Sequence, residues 1–271
     1  MHSPSKNTPA PPVVMAFSGL DPTGGAGLQA DIEAIASMGC HTAPIASCLT
    51  VQTTCNVHDV LPVEPTLIIE QARAVLEDIP VSAFKLGVMP TPLVVESVAT
   101  ILRDYPGVPV ILDPVIAAGG GAELADEAVI EALLELILPQ TTVITPNSPE
   151  TLALIRGSDS LDAAAMGLLS HGCDYALVTG AHRKTPEVVN TLYGDNRKLD
   201  EYRWPRLPNT YHGSGCTLAS AIAGLLAQQQ APVAAIKAAQ QYTWRALQRG
   251  SHLGMGQLIP NRLFWIDDNN D

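Results

Sequence analysis

Basic residues are scarce in this chain: 15 Lys and Arg stand against 27 Asp and Glu, a formal net charge of −12 with a pI near 4.9. That excludes nucleic acid as the main partner, because phosphate-backbone binding needs clustered cations. A small anionic ligand remains open, since a local nest of backbone N–H groups holds an anion against an unfavourable global field. Cysteine is sparse too. The residues are Cys40, Cys48, Cys55, Cys173 and Cys216, an odd number with no C-x-x-C pair and no interleaved His at zinc spacing. Neither a disulfide framework nor a structural metal site is suggested, and reduced thiols in a cytoplasm are the natural reading. Long apolar runs are missing, none approaching the ~18 residues of a membrane span. The opening "MHSPSKNTPAPP" has no apolar segment and reads as a flexible tail over 1–12, not a signal peptide.

Three catalytic templates are absent as well. "GLDPTGGAG" is not a G-x-G-x-x-G dinucleotide fingerprint, no G-x-x-x-x-G-K-[ST] phosphate loop occurs, and no G-x-S-x-G elbow surrounds Ser214. A bound nucleotide must be held some other way.

What the chain does have is an apolar majority and order. Hydrophobic residues make up 46% of 271, enough for a sizeable core. Short apolar runs at 13–18, 42–48, 82–88, 108–113, 142–145 and 175–179 read as strands. Helical spacing recurs between them: after Leu28, over 66–78, from Leu93 to Leu102, over 125–137, and near 149–155 and 161–170. "EVVNTLYGDNRKLDEYRW" (187–204) reads as an antiparallel hairpin turning at Gly194, Asp195 and Asn196. Helices over 216–228 and 231–248 close the chain. This alternation predicts an α/β fold, a mainly parallel central sheet with helices on both faces, formed by one domain over 13–271.

Ligands of such sheets bind beyond the carboxyl ends of the strands. Special residues collect there. Gly19, Asp21 and Gly24–Gly25 follow the first strand, Thr50 and Gln52 the second, Gly87 the third and Asp113–Pro114 the fourth. Asn147 and Glu150 follow the fifth, and Thr179–Gly180 the sixth. Each alone is ordinary turn punctuation; their clustering at one sheet edge argues for a site. "HGSGCTLASAIAGLLA" (212–227) is the sharpest stretch. Gly213 and Gly215 flank Ser214 just before a helix whose first N–H groups and dipole favour an anion. The plainer alternative makes Ser214 or Thr217 an N-cap. Cys216 at the helix start is expected to have its pKa lowered from ~8.5, fit for a base or nucleophile.

"SGLDPTGGAGLQADI", "VQTT", "KLGVM", "ILDPV", "TPNSPE" and "HGSGCT" occur in the order and spacing of one group. In them the chain resembles the hydroxymethylpyrimidine/phosphomethylpyrimidine kinases of thiamine biosynthesis, members of the ribokinase-like superfamily. The resemblance implies a three-layer α/β/α fold, ATP and Mg²⁺ as cofactors, and a homodimer. It implies phosphorylation of 4-amino-5-hydroxymethyl-2-methylpyrimidine and then of its monophosphate. By the family pattern Gln52 bonds the aminopyrimidine edge, with Gly19 and its glycine-rich turn close by. Asp31, Val88 and Asp113 complete the substrate set. Asn147 and Glu150 match an N-x-x-E element near phosphate and Mg²⁺, which Glu150 approaches indirectly. Gly213, Ser214, Gly215 and Cys216 match the anion hole, with Cys216 where sugar-kinase relatives carry a catalytic Asp. Thr179 stands where the family often has a phosphate-reaching Lys. His182, Arg183 or Lys184 are candidate substitutes, although solvated loop charges are the plainer reading of each. Helix 231–248, with Val233, Ile236 and Lys237, is expected to border the adenine. Two competing readings are a pyridoxal kinase of the same fold, whose aldehyde substrate meets Cys216, and a non-catalytic pyrimidine-binding sensor.

Overall fold

The computed structural model describes residues 9–117, 119, 121, 122, 124–181 and 185–268. Nine strands form one sheet: β1 (Val13–Leu20), β2 (His41–Gln52), β3 (Val57–Pro62), β4 (Val81–Leu86), β5 (Val110–Leu112), β6 (Val143–Ile144), β7 (Tyr175–Val178), β8 (Glu187–Gly194) and β9 (Arg197–Pro205). Their spatial order is β3-β2-β1-β4-β5-β6-β7-β8-β9. The run from β2 to β7 pairs in parallel, while β3, β8 and β9 are antiparallel. The helices are α1 (Gly27–Ser37), α2 (Pro65–Asp78), α3 (Pro92–Arg103), α4 (Glu127–Ala132), α5 (Ser148–Leu154), α6 (Leu161–Ser170), α7 (Ser214–Ala227), α8 (Pro232–Gln248) and the short α9 (Trp265–Asp268).

Strand β1 shows why there are three layers. Its side chains alternate, as a pleat demands. Met15 and Phe17 join a core with Ile68, Val94, Val98 and Leu168 of α2, α3 and α6. Val14 and Ala16 join a second core with Ile35, Ile222 and Ile236 of α1, α7 and α8. A strand covered on both faces has no use for a polar side, hence the unbroken run "VVMAF". Helix α7 lies centrally in the second core and is built from small residues. A Cβ on Gly224 would come within 2.7 Å of Met38 Cβ, so only glycine lets α7 approach the end of α1 this closely.

The hairpin forms as expected, β8 and β9 joined through Asp195 (φ 49°) and Asn196 (φ 53°). Three expectations are corrected. Gly19 does not follow the first strand; it lies inside β1. Thr50 and Gln52 do not follow the second strand; β2 runs on through them and pairs with β3, which periodicity alone does not reveal. β3 is an exposed edge strand with Asp59 and Pro62, so neither face carries a buried apolar stripe. The helix expected over 125–137 is α4 followed by a π turn (Leu133–Ile137) and a 3₁₀ turn (Leu138–Gln140). Pro139 has no N–H to donate and its ring crowds the preceding turn, which forbids a regular continuation.

Candidate active site

Along the carboxyl ends of β1, β2, β5, β6 and β7 runs a cleft of about 860 Å³. It is lined by Gly19, Gln52, Asp113, Asn147, Glu150 and Thr179, and by the whole segment from Gly213 to Cys216. Val88 lies on the same wall. Most of the strand-end and helix-start residues expected from the sequence therefore converge; Gly24, Gly25, Asp31, Gly87, Pro114 and Gly180 do not line it.

Helix α7 opens on Gly213, which takes left-handed φ 77°, and no side chain caps it. The N-cap alternative fails: Thr217 Oγ1 donates to the Gly213 carbonyl at 2.7 Å and takes no helix N–H. The first N–H groups of the helix are left to whatever occupies the cleft. The helix starts at Ser214, two residues earlier than expected, so Ser214, Gly215 and Cys216 are its first turn. Arg262 braces this turn from beneath. Fully buried, it donates to Thr217 Oγ1 (2.8 Å), to Glu33 of α1 (3.0 Å) and to the Gly25 carbonyl.

The glycine-rich turn after β1 folds around Asp21. One carboxylate oxygen accepts from the Thr23 N–H and hydroxyl (both 2.8 Å); the other accepts from the Ala26 N–H (2.8 Å) and His212 Nε2 (2.7 Å). Burial works against this charge, but the bonds from His212, Thr23 and Ala26 outweigh it and hold the carboxyl below its usual range. Gln52 reaches the same His212 nitrogen at 3.2 Å. The contact is made by the Gln52 amide nitrogen, and the His212 tautomer sets which group donates. The glycines have a further use that the sequence reading lacked. A Cβ on Gly25 would strike the His212 ring, and one on Gly27 the Gly19 carbonyl. They let the turn fold against itself and against segment 212–213, besides opening the cleft.

At the other end, Asn147 and Glu150 form a capping box on α5. Glu150 N–H bonds Asn147 Oδ1 (2.9 Å) and Asn147 N–H bonds Glu150 Oε2 (2.8 Å). Burial, reinforced by the charge of Asp113, pushes the Glu150 carboxyl up to about 8 despite bonds from Asn147 and Ile116. A carboxyl raised in the folded state stabilises at and below its ordinary value of 4.5, and that contribution is lost as pH rises through about 8. Glu150→Gln keeps the capping box and removes the titration. Its melting temperature should match the parent near about pH 5 and exceed it near about pH 9; calorimetry at the two values checks this, and an equal offset at both would contradict it.

Beneath α7 lies a buried charge cluster. Lys85 of β4 and Asp31 of α1, both fully buried, pair at 2.8 Å, and Ser220 of α7 donates to the same Asp31 oxygen at 2.7 Å. Asp31 is thus a correction: it faces Lys85 under the site and does not line the cleft. Burial opposes the Lys85 charge, but Asp31, Cys216 and Asp113 outweigh it and hold the ammonium above its ordinary value. The Cys216 thiol and the Asp113 carboxylate influence each other electrostatically. Here too the structure corrects the sequence. Burial pushes this thiol up to about 12, with Asp113 and Asp31 adding to the rise and Lys85 only partly opposing it, so the neutral thiol is the resting form.

A sequence profile of the family described as phosphomethylpyrimidine kinase matches residues 21–261. The chain belongs to the phosphomethylpyrimidine kinase family. It is 36% identical to the hydroxymethylpyrimidine/phosphomethylpyrimidine kinase of Streptomyces coelicolor, over 91% of this chain and 92% of that protein. It is 34% identical to the thiamine biosynthesis bifunctional protein ThiED of Geobacter sulfurreducens over 95% of this chain, but spans 54% of that protein, about half its length. The fold matches the ADP complex of Bacillus subtilis pyridoxal kinase with a TM-score of 0.85 at 26% identity, covering 93% of this chain and 98% of that one.

For this phosphomethylpyrimidine kinase family member, sequence reading missed His212, Arg262 and Lys85. The first stands inside the quoted "HGSGC" and the last inside "KLGVM", and a lysine among apolar strand residues was the available signal. Arg262 lies far along the chain and gave none. The adenine expectation is corrected as well. Val233 is exposed, Ile236 belongs to the second core and Lys237 is not at the cleft; α8 contributes Gln240, Thr243, Trp244 and Leu247 instead. His182, Arg183 and Lys184 lie outside the described residues.

Proposed function

We propose that this kinase transfers the γ-phosphoryl group of ATP to the alcohol of 4-amino-5-hydroxymethyl-2-methylpyrimidine, and then phosphorylates the monophosphate. The observation that carries this reading is the uncapped start of α7 at left-handed Gly213, opening into a cleft that also presents Gln52 and the Asn147–Glu150 pair. Phosphoryl transfer depends mainly on positioning and charge neutralisation. The amide groups of Ser214, Gly215 and Cys216 receive the migrating group; Gln52 meets the donor and acceptor atoms of the aminopyrimidine, with Gly19 and Val88 against the ring. Asn147, Glu150 and Thr179 face the nucleotide phosphates.

Among the described residues no group of three His, Cys, Asp or Glu side chains gathers to hold a metal ion. A Mg²⁺ arriving on the nucleotide would be held at the cleft by Glu150. When bound it neutralises phosphate charge.

Replacing Gln52 with Ala should raise the pyrimidine KM about tenfold, the worth of one good amide interaction, and leave the ATP KM unchanged. Initial rates at varied concentrations of each substrate decide; an unaltered pyrimidine KM removes Gln52 from the ring pocket. Pyridoxal is a second acceptor worth running in parallel, favoured by the 0.85 TM-score to a pyridoxal kinase.

The reading extends to one domain over 13–271, supported by a single continuous sheet. It extends to a cytoplasmic location, supported by five free cysteines, and to a homodimer. Leu20, Leu49 and Leu61 are cross-strand neighbours on β1, β2 and β3, and all three are exposed. A second copy of this chain would cover that row. Leu49→Asp should shift a dimer toward monomer in sedimentation equilibrium, and a monomeric parent would end this part of the reading.

A further inference from the structure

The corner beneath Cys216 gathers more ionisable groups than a phosphate cradle needs. Lys85 arrives on β4, Asp31 on α1, Asp113 from the turn after β5 and Cys216 on α7. Two carboxylates share one ammonium. Asp31 takes it: its Oδ1 is bonded to Lys85 at 2.8 Å and to Ser220 at 2.7 Å. Asp113 is left without an ion pair of its own among these contacts. It is buried at the cleft wall beside the Cys216 thiol, and its Oδ2 is enclosed without a partner. A Cβ on Gly215 would meet its Oδ1 at 3.4 Å, which sets the carboxylate directly against the phosphate cradle.

We propose that Asp113 is the terminal proton acceptor of phosphoryl transfer, reached through Cys216, whose thiol relays the proton. This builds on the kinase reading above. As the substrate oxygen forms its bond to the γ-phosphorus, the bond from phosphorus to the ADP oxygen breaks and ADP leaves with the electron pair. The hydroxyl proton passes to Cys216 Sγ while the thiol's own proton passes to an Asp113 oxygen. Sulfur is neutral before and after, and Asp113 releases its proton to solvent when product leaves.

The electrostatics agree with that division of labour. A thiol pushed up to about 12 is a poor resting base near neutral pH but remains a usable relay. Burial also pushes the Asp113 carboxyl up, Asp31 adds to the rise and Lys85 partly opposes it. A base whose proton affinity lies nearer the working pH is the more efficient one. The titratable groups facing Asp113 are Lys85 from β4, Asp31 from α1 and Glu150 from α5, with the Cys216 thiol from α7. Activity should therefore rise with pH as Asp113 loses its proton.

The test compares the parent with Cys216→Ser, Cys216→Ala, Asp113→Asn and the Asp113→Asn/Cys216→Ala double variant. Two readouts are taken: steady-state kinetics with the hydroxymethylpyrimidine and ATP, and iodoacetamide alkylation of Cys216 in the ligand-free protein across pH. A serine hydroxyl still passes a proton, so Cys216→Ser should stay within about tenfold of the parent kcat. Cys216→Ala and Asp113→Asn should each lose ~10²-fold or more, and the double variant no more than the worse single one, because the two act as a unit. Alkylation near neutral pH should be faster in Asp113→Asn, since removing the carboxylate favours the thiolate. The proposal is overturned if Asp113→Asn keeps near-parent kcat, if Cys216→Ser is as inactive as Cys216→Ala, or if alkylation ignores Asp113. A parent that transfers no phosphate to the pyrimidine would instead overturn the kinase reading, and alkylation would still report on the Asp113–Cys216 pair.

Discussion

Gly213→Ala should fold, lose about 3 kcal/mol of stability and fall at least ~10²-fold in kcat. Two separate costs meet at this residue. Its φ of 77° is left-handed, a conformation that costs an L-residue about 1–2 kcal/mol. The added Cβ would also strike the Gly25 carbonyl, and it would lie 2.9 Å from Ala26 Cα and 2.8 Å from Arg262 Nη2. Two of these neighbours are backbone atoms, so no rotamer change relieves the contact. The glycine-rich turn and the start of α7 must separate, and the amide donors leave the place where phosphoryl charge develops. A 1 Å misplacement of such donors costs about 10² in rate. Gly215→Ala is the internal comparison. Its Cβ would meet nothing nearer than Asp113 Oδ1 at 3.4 Å, and no left-handed φ is imposed there, so its stability should change little. Calorimetric melting and ADP-release rates on both variants decide. Equal loss of kcat with no difference in melting would separate the cradle from the backbone argument and refute the latter.

That contrast also marks what was legible in the residues alone. Apolar runs such as "VVMAF" and the turn residues Asp195 and Asn196 act locally, and the strands and hairpin they imply are all present. The cleft was readable for the same reason, since α/β sheets put strand ends on one edge, and those ends and the loops after them carry Gly19, Asp113, Asn147 and Thr179. β3 escaped because an exposed edge strand has no buried stripe to betray it. Residues whose meaning depends on distant partners were misjudged or missed. Asp31 reads as a helix residue near a substrate motif until Lys85, 54 positions on, is seen to claim it. The cysteine at the start of α7 reads as an activated thiol from its helix position. Burial and the Asp113 and Asp31 carboxylates reverse that direction, and neither is visible within "HGSGCT".

Lys85→Met should be the most destabilising single substitution at the site, by about 3–5 kcal/mol, the usual consequence of removing one partner from a buried ion pair. The ammonium is completely enclosed and bonds Asp31 at 2.8 Å and Ser18 at 3.4 Å. Without it Asp31 keeps only Ser220 on one oxygen, while its Oδ2 already has no partner. Methionine fills the stem's volume but supplies no donor, so the loss is electrostatic and leaves no cavity to confuse it. A melting temperature lower by about 10 °C is expected for a chain of this size. Adding Asp31→Leu should recover most of the loss, because a well-packed apolar pair replaces a buried ion pair at little cost. The double-mutant cycle measures the coupling directly. If the double variant were no more stable than Lys85→Met alone, Lys85 would be holding the fold through contacts other than Asp31. The recovered protein should still turn over more slowly than the parent, since Lys85 opposes the rise of the Cys216 and Asp113 proton affinities more strongly than the Asp31 removed with it adds to that rise. Restored stability with depressed kcat is the signature that separates Lys85's influence on chemistry from its share in folding.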